Sequence, residues 1–99
     1  MNLNFKKEFL EAVIKEEKKQ TIRKWDKCFL KEGQKIFINY KYPAIVEKII
    51  RKRFSEIDEE DAKLNGYSSK EELKKSVKEV YQDIDENSFI FIIRFHLIK

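Results

Sequence analysis

The sequence predicts a small α+β fold, in which antiparallel strands form a partly closed β-barrel with helices packed around it. Three observations predict this. The elements run in the order helix, strands, two helices, strand, so helices interrupt the strands rather than alternating with them. Residues 89–98 form a strong closing strand, apolar on both faces, as a strand covered from two sides must be. The chain has 99 residues, of which 41% are hydrophobic and 13% aromatic, which suits one domain (1–99) with one core.

The elements follow from local patterns. Phe5, Phe9, Leu10, Val13 and Ile14 recur at helical spacing with Lys and Glu between them. This predicts an amphipathic helix capped by Asn4 and ending near Glu17. Residues 21–25 are rich in β-formers and predict a short strand. Gly33 marks a turn, and residues 35–40 form the next strand. Tyr42-Pro43 is expected to interrupt it, because proline cannot donate to a ladder. Residues 44–53 then form another strand, ending in Arg51-Lys52-Arg53. Asp58 is the predicted N-cap of a short acidic helix, and Gly66 stands where the chain must turn left-handed. Ser69 and Glu72 form a capping box for the next helix, with Leu73, Val77, Val80 and Tyr81 as its buried stripe. In the closing strand Phe91, Ile93, Phe95 and Leu97 share one face and Ile90, Ile92 and Ile98 the other.

Composition narrows the functional classes. Charged residues make up 40% of the chain, well above the average of about 25%. No run approaches the roughly 20 apolar residues of a membrane helix, and residues 1–5 lack the apolar core of a signal peptide. Cys28 and His96 are the lone residues of their types, which excludes an internal disulfide and makes no case for zinc. A cytoplasmic location, with no metal and no cofactor, is expected. The net charge of +4 is unevenly placed. Residues 1–54 carry 15 Lys and Arg against 7 Asp and Glu, whereas residues 55–99 carry 7 against 11. A basic half beside an acidic half predicts a surface that attracts phosphates or polyanions.

The densest chemistry lies in Lys18-Lys19-Gln20-Thr21-Ile22-Arg23-Lys24-Trp25. If this is a strand, alternation puts Lys19, Thr21, Arg23 and Trp25 on one face and turns Ile22 into the core. Cations, a hydroxyl and a flat ring are the groups that hold a phosphate and stack a base. The plainer alternative is a solvated edge strand with snorkelling lysines.

The order of motifs resembles a small ASCH domain of the PUA-like superfamily. The likeness rests on Lys18-Lys19-Gln20-Thr21-Ile22-Arg23, then Glu59-Glu60-Asp61-Ala62-Lys63-Leu64-Asn65-Gly66-Tyr67, then the helix from Ser69 to Tyr81 and Ile92-Ile93-Arg94-Phe95. It covers nearly the whole chain; each motif is short, and their order and spacing carry the specificity. The resemblance implies a β-barrel with helices around it and nucleic-acid binding, with RNA, single-stranded nucleic acid or a modified nucleoside as partner. One bacterial branch hydrolyses N4-acetylcytidine with a Lys, a Thr and a Glu. Carried over by motif, Lys18 takes the lysine position, Thr21 the threonine position and Arg23 the arginine position. The Glu position falls on Asn65, which cannot exchange a proton as a carboxylate does. Asp61 or Glu60 could substitute only if the helix presented it to the cleft.

The expected function is therefore nucleic-acid or nucleotide binding through Lys18, Lys19, Thr21, Arg23, Trp25, Tyr40, Lys41 and Asn65. The alternative is an amidohydrolase acting on an acylated nucleoside through Lys18 and Thr21. Arg51-Lys52-Arg53 extends the basic surface or is a solvated strand end. His96 and Cys28 lack sequence neighbours that would activate them, and a structural role is expected for both.

Overall fold

The computed structural model describes residues 1–98. In chain order the elements are β1 (Asn2–Leu3), α1 (Lys7–Ile14), β2 (Gln20–Arg23), β3 (Lys35–Ile38), β4 (Tyr42–Arg53), a 3₁₀ turn (Phe54–Glu56), α2 (Glu59–Leu64), α3 (Lys70–Val80) and β5 (Phe89–Leu97). The strands form one sheet in the order β1-β3-β4-β5-β2. The β1–β3 pair is parallel and the others are antiparallel.

Alternation along β5 divides the core into two halves. Ile93 and Phe95 join Leu3, Phe5, Val13, Leu30, Ile36 and Val46 on the face covered by α1. Ile90 and Ile92 join Ile22, Phe54, Ala62, Leu73 and Val77 on the face covered by α2 and α3. The expected division of β5 residues between two faces matches the packing except at Ile98, which lies beyond the strand and is 42% exposed.

The sheet does not close into a barrel. Its edges, β1 and β2, are not paired with each other. β1 has only two residues, too few to carry a ladder across the gap, and a side chain spans it instead. Arg23 Nη2 donates to the Asn4 carbonyl at 2.7 Å, and the Arg23 guanidinium lies 5.1 Å from the Phe5 ring centre.

Other boundaries also differ from expectation. α1 spans only Lys7–Ile14, and its N-cap is Lys6, without a side-chain cap. Asn4 is occupied elsewhere, its Oδ1 accepting from Asn2 and its carbonyl from Arg23. Pro43 does not break β4. It lies opposite Phe37, whose N–H turns away to Met1 O at 3.0 Å, so no ladder bond is asked of the proline nitrogen. Val80 is 51% exposed, and Tyr81 is only partly buried.

A β-bulge between Val46 and Lys48 inserts one residue into β4 and reverses its parity. Before the bulge Ala44 and Val46 face α1; beyond it Ile49 does, and Ile50 faces α2 and α3. Sequence alternation alone cannot reveal this switch. Among the described residues, no helix is long and apolar enough to cross a membrane.

Candidate functional site

β2 is an edge strand with α1 on one side of it and α2 and α3 on the other. A cavity of about 210 Å³ opens along this edge. Lys18, Thr21, Ile22 and Arg23 form its floor, Phe5 and Phe9 one wall, and Asn65, Tyr67, Ser76 and Tyr81 the other.

The strand also offers its backbone. Phe95 N donates to Lys19 O at 3.0 Å, so 19/95 is a hydrogen-bonded pair of the antiparallel ladder. Two residues on, Thr21–Ile93 and Arg23–Phe91 are bonded pairs in the same register. Gln20 and Ile22 therefore turn their N–H and C=O groups away from β5, towards the free edge. Ile22 does so at the cavity.

Lys18 enters from the end of the α1–β2 connection. It is only 7% exposed, yet it forms no ion pair with a carboxylate among the described residues. Its Nζ donates to Asn65 O at 3.3 Å and to Asn65 Oδ1 at 3.2 Å. It also lies 5.7 Å from the Phe9 ring centre and 5.9 Å from that of Tyr67. Burial, with the nearby positive charge of Arg23 adding to it, pushes the Lys18 ammonium down to about 8. A fraction of its amines is thus neutral near physiological pH.

Asn65 is held in place by α2. It is the helix C-cap, with φ −88°, and the left-handed turn falls on Gly66 at φ +86°. A Cβ at Gly66 would lie 3.4 Å from Glu17 O, so glycine also lets α2 approach the segment before Lys18. Asn65 Nδ2 donates to Asp61 O at 2.7 Å, which leaves its Oδ1 aimed at Lys18.

Arg23 is fixed by Nε donating to Thr21 Oγ1 at 3.1 Å and by the Asn4 carbonyl. Burial lowers its guanidinium from the ordinary value. Only two of its five N–H groups are used by these bonds, and the rest remain for a ligand. The Tyr67 and Ser76 hydroxyls pair at 2.6 Å across the helical wall.

The structure brings together four of the eight residues expected at the site: Lys18, Thr21, Arg23 and Asn65. The other four stand elsewhere. Lys19 is exposed, and its neighbours are Glu16, Glu47 and His96; it lies just before β2, with its N–H donating to Leu64 O. Trp25 follows the end of β2 and packs on the α1-side core beside Leu30. Tyr40 and Lys41 form the exposed β3–β4 turn, where Tyr40 has φ +60°. Neither carboxylate considered as a stand-in for the missing Glu reaches the cavity: Glu60 is exposed, and Asp61 points to Lys52 and Gln20. His96 is exposed and 3.2 Å from Glu47, and Cys28 packs on the core. No group of three or more His, Cys, Asp or Glu among the described residues could hold a metal ion. Asn4, Phe5, Phe9, Tyr67, Ser76 and Tyr81 line the cavity without having been expected there. The i, i+4 spacing of Phe5 and Phe9 signalled only a core stripe.

The architecture is an ASCH-like fold. The chain aligns with the crystal structure of an ASCH domain from Lactobacillus crispatus JV V101 at TM-score 0.77 and 10% identity, covering 90% of this chain and 69% of that one. It aligns with the hypothetical protein PH0355 at TM-score 0.79 and 23% identity, covering 98% and 97% of the two chains. Protein EF3133 from Enterococcus faecalis V583, described as DUF984, matches at TM-score 0.71 and 14% identity over 89% of this chain and 65% of that one. No protein-family model matches the chain, and no curated protein matches it.

Proposed function

We propose that the chain binds single-stranded RNA or a nucleotide, with one base in the cavity on the β2 edge. The observation that carries this reading is the convergence of Lys18, Thr21, Arg23, Asn65 and the outward-facing backbone of Ile22 on one space. A volume of about 210 Å³ is below the ~300–1,000 Å³ of pockets for larger ligands, and suits a single base better than a folded oligomer. The Ile22 backbone offers a donor beside an acceptor, the complement of a base edge. Phe5, Phe9 and Tyr67 give apolar walls, and Arg23 gives a fork for phosphate. The fold shared with an ASCH domain supports the same reading.

Equilibrium binding of a short RNA at several salt concentrations tests it. Affinity should fall steeply with salt, and Arg23→Gln should weaken binding at least tenfold. Salt-independent binding, or none at low salt, refutes the reading.

A second reading is favoured by one observation, the depression of Lys18 to about 8. A partly neutral lysine beside Thr21 could attack or help activate the acyl group of a nucleoside such as N4-acetylcytidine. Asn65 supplies no proton transfer, and acid–base help is worth roughly 10²–10⁴ in rate, so binding ranks first. Release of cytidine from N4-acetylcytidine by the native chain would reverse this ranking. Asn65→Glu should then raise the rate and Lys18→Ala abolish it.

A further inference from the structure

We infer that a strand-binding surface continues from the cavity across the sheet, over Arg23, Phe91, Arg51, Phe89 and Arg53, and holds the backbone and a flanking base of a single-stranded nucleic acid. This rests on the cavity taking a nucleotide, and extends it to a longer ligand.

The register builds the surface. Phe91 lies opposite Arg23 on one side and Arg51 on the other, and Phe89 lies opposite Arg53. The bulge in β4 sets their direction: beyond it, the odd-numbered residues share the α1-side face, while Lys52 turns to the other face and meets Asp61. Unbroken alternation from Val46 would instead put Lys52 on this face and turn Arg51 and Arg53 away from it. Neighbouring strands are about 4.8 Å apart, so the backbones at Arg23 and Arg51 stand roughly 10 Å apart, within reach of successive phosphates.

The side chains stack on one another and still leave donors and ring surface open. The Arg51 guanidinium lies 3.8 Å from the Phe89 ring centre, and that of Arg53 lies 5.2 Å from it. Phe89 is nevertheless 41% exposed. A stacked guanidinium keeps its N–H groups free around its rim, where a phosphate can take two of them. An exposed ring can stack a base. Arg23, Arg51 and Arg53 have no carboxylate partner among the described residues, so their charges are not neutralised within the chain. An acidic protein segment could use the same three charges, but it would make no demand on the exposed ring between them.

The experiment compares the native chain with Arg51→Gln/Arg53→Gln and with Phe89→Ala. The probes are an eight-nucleotide RNA of random sequence, the four nucleoside 5′-monophosphates, and polyglutamate. The changed residues are exposed, and circular dichroism with thermal unfolding checks that each variant keeps the native fold. The double variant should bind the RNA at least tenfold more weakly. Its slope of log affinity against log salt should be shallower by about 1.4, two contacts at ~0.7 each for single strands. Phe89→Ala should cost at least fivefold, and monophosphate binding should be unchanged in both. Unchanged RNA affinity in both variants overturns the surface, as does polyglutamate competing as well as RNA. The two readings fail separately. If monophosphates bind but RNA gains nothing over them, the surface falls and the cavity stands. If RNA binds and is weakened by these variants, with no monophosphate bound, the surface stands and the cavity falls. Binding of neither probe overturns both.

Discussion

Lys18 and Lys52 both turn inwards against α2, and one helical turn separates the residues they meet. Lys52 finds a carboxylate: its Nζ pairs with Asp61, which also accepts from Gln20 at 3.0 Å. Lys18 finds only an amide, a carbonyl and two rings. The consequences are opposite. Burial alone would raise the Asp61 carboxyl, but hydrogen bonds from Lys52, Gln20 and the Asp58 backbone outweigh it and hold it below the ordinary value. Lys18, without such a partner, is pushed down to about 8. A buried charge with its counter-charge is a fixed part of the framework; one with neutral neighbours remains available to something that enters. Asn65 decides which of the two Lys18 is.

The largest effect expected from this contrast is on the paired side. Asp61→Ala leaves Lys52 and Gln20 facing an empty site. It also removes the side chain that accepts from the Asp58 N–H at 3.1 Å in the capping box. A loss of about 3 kcal/mol is expected in urea unfolding, since stranding one member of a buried pair costs ~3–5 kcal/mol and Lys52 keeps some access to water. A loss under about 1 kcal/mol would mean that the pair is a surface contact of the ordinary kind.

Next comes the pH dependence of the unpaired side. Below about 8 the native chain holds Lys18 charged at a cost in stability. Above it the native chain releases this proton, while the unfolded chain keeps it until near 10.5. The unfolded state then binds more protons, so Lys18 makes stability rise with pH between these values. The rise is at most about 3 kcal/mol, at ~1.4 kcal/mol per unit. It should appear as the difference between the native chain and Lys18→Met, which lacks the titrating group. Parallel curves would contradict a depressed Lys18.

The smallest effect is the most specific. Asn65→Asp should give Lys18 the setting of Lys52 and raise its pKa by ~1–3 units, measured by NMR titration of the lysine side chain. No change would mean that Asn65 does not govern the charge of Lys18.

Much of this framework is legible in the sequence. Asp58, Gly66 and Ser69 announce the ends of α2 and α3, and the two faces of β5 follow from strict alternation. What escapes is set by long-range geometry. Two residues of β1 carry no periodic signal. The bulge after Val46 swaps the faces of Arg51, Lys52 and Arg53 without any glycine to mark it. The motif picks out Lys18 and strand alternation Lys19; Lys18 is the buried one, held against Asn65, Phe9 and Tyr67 by contacts that no local pattern announces. Tyr81 reads as part of an apolar stripe, yet it lines the cavity because α3 ends beside it.

The most direct measurement is an amide NMR titration of the labelled chain with nucleoside 5′-monophosphates. The largest shifts should fall at Lys18, Thr21, Ile22, Arg23, Asn65 and Tyr67, and should be lost in Arg23→Gln. Shifts confined to the β3–β4 turn and other exposed lysines, with the β2 edge silent, would contradict the account.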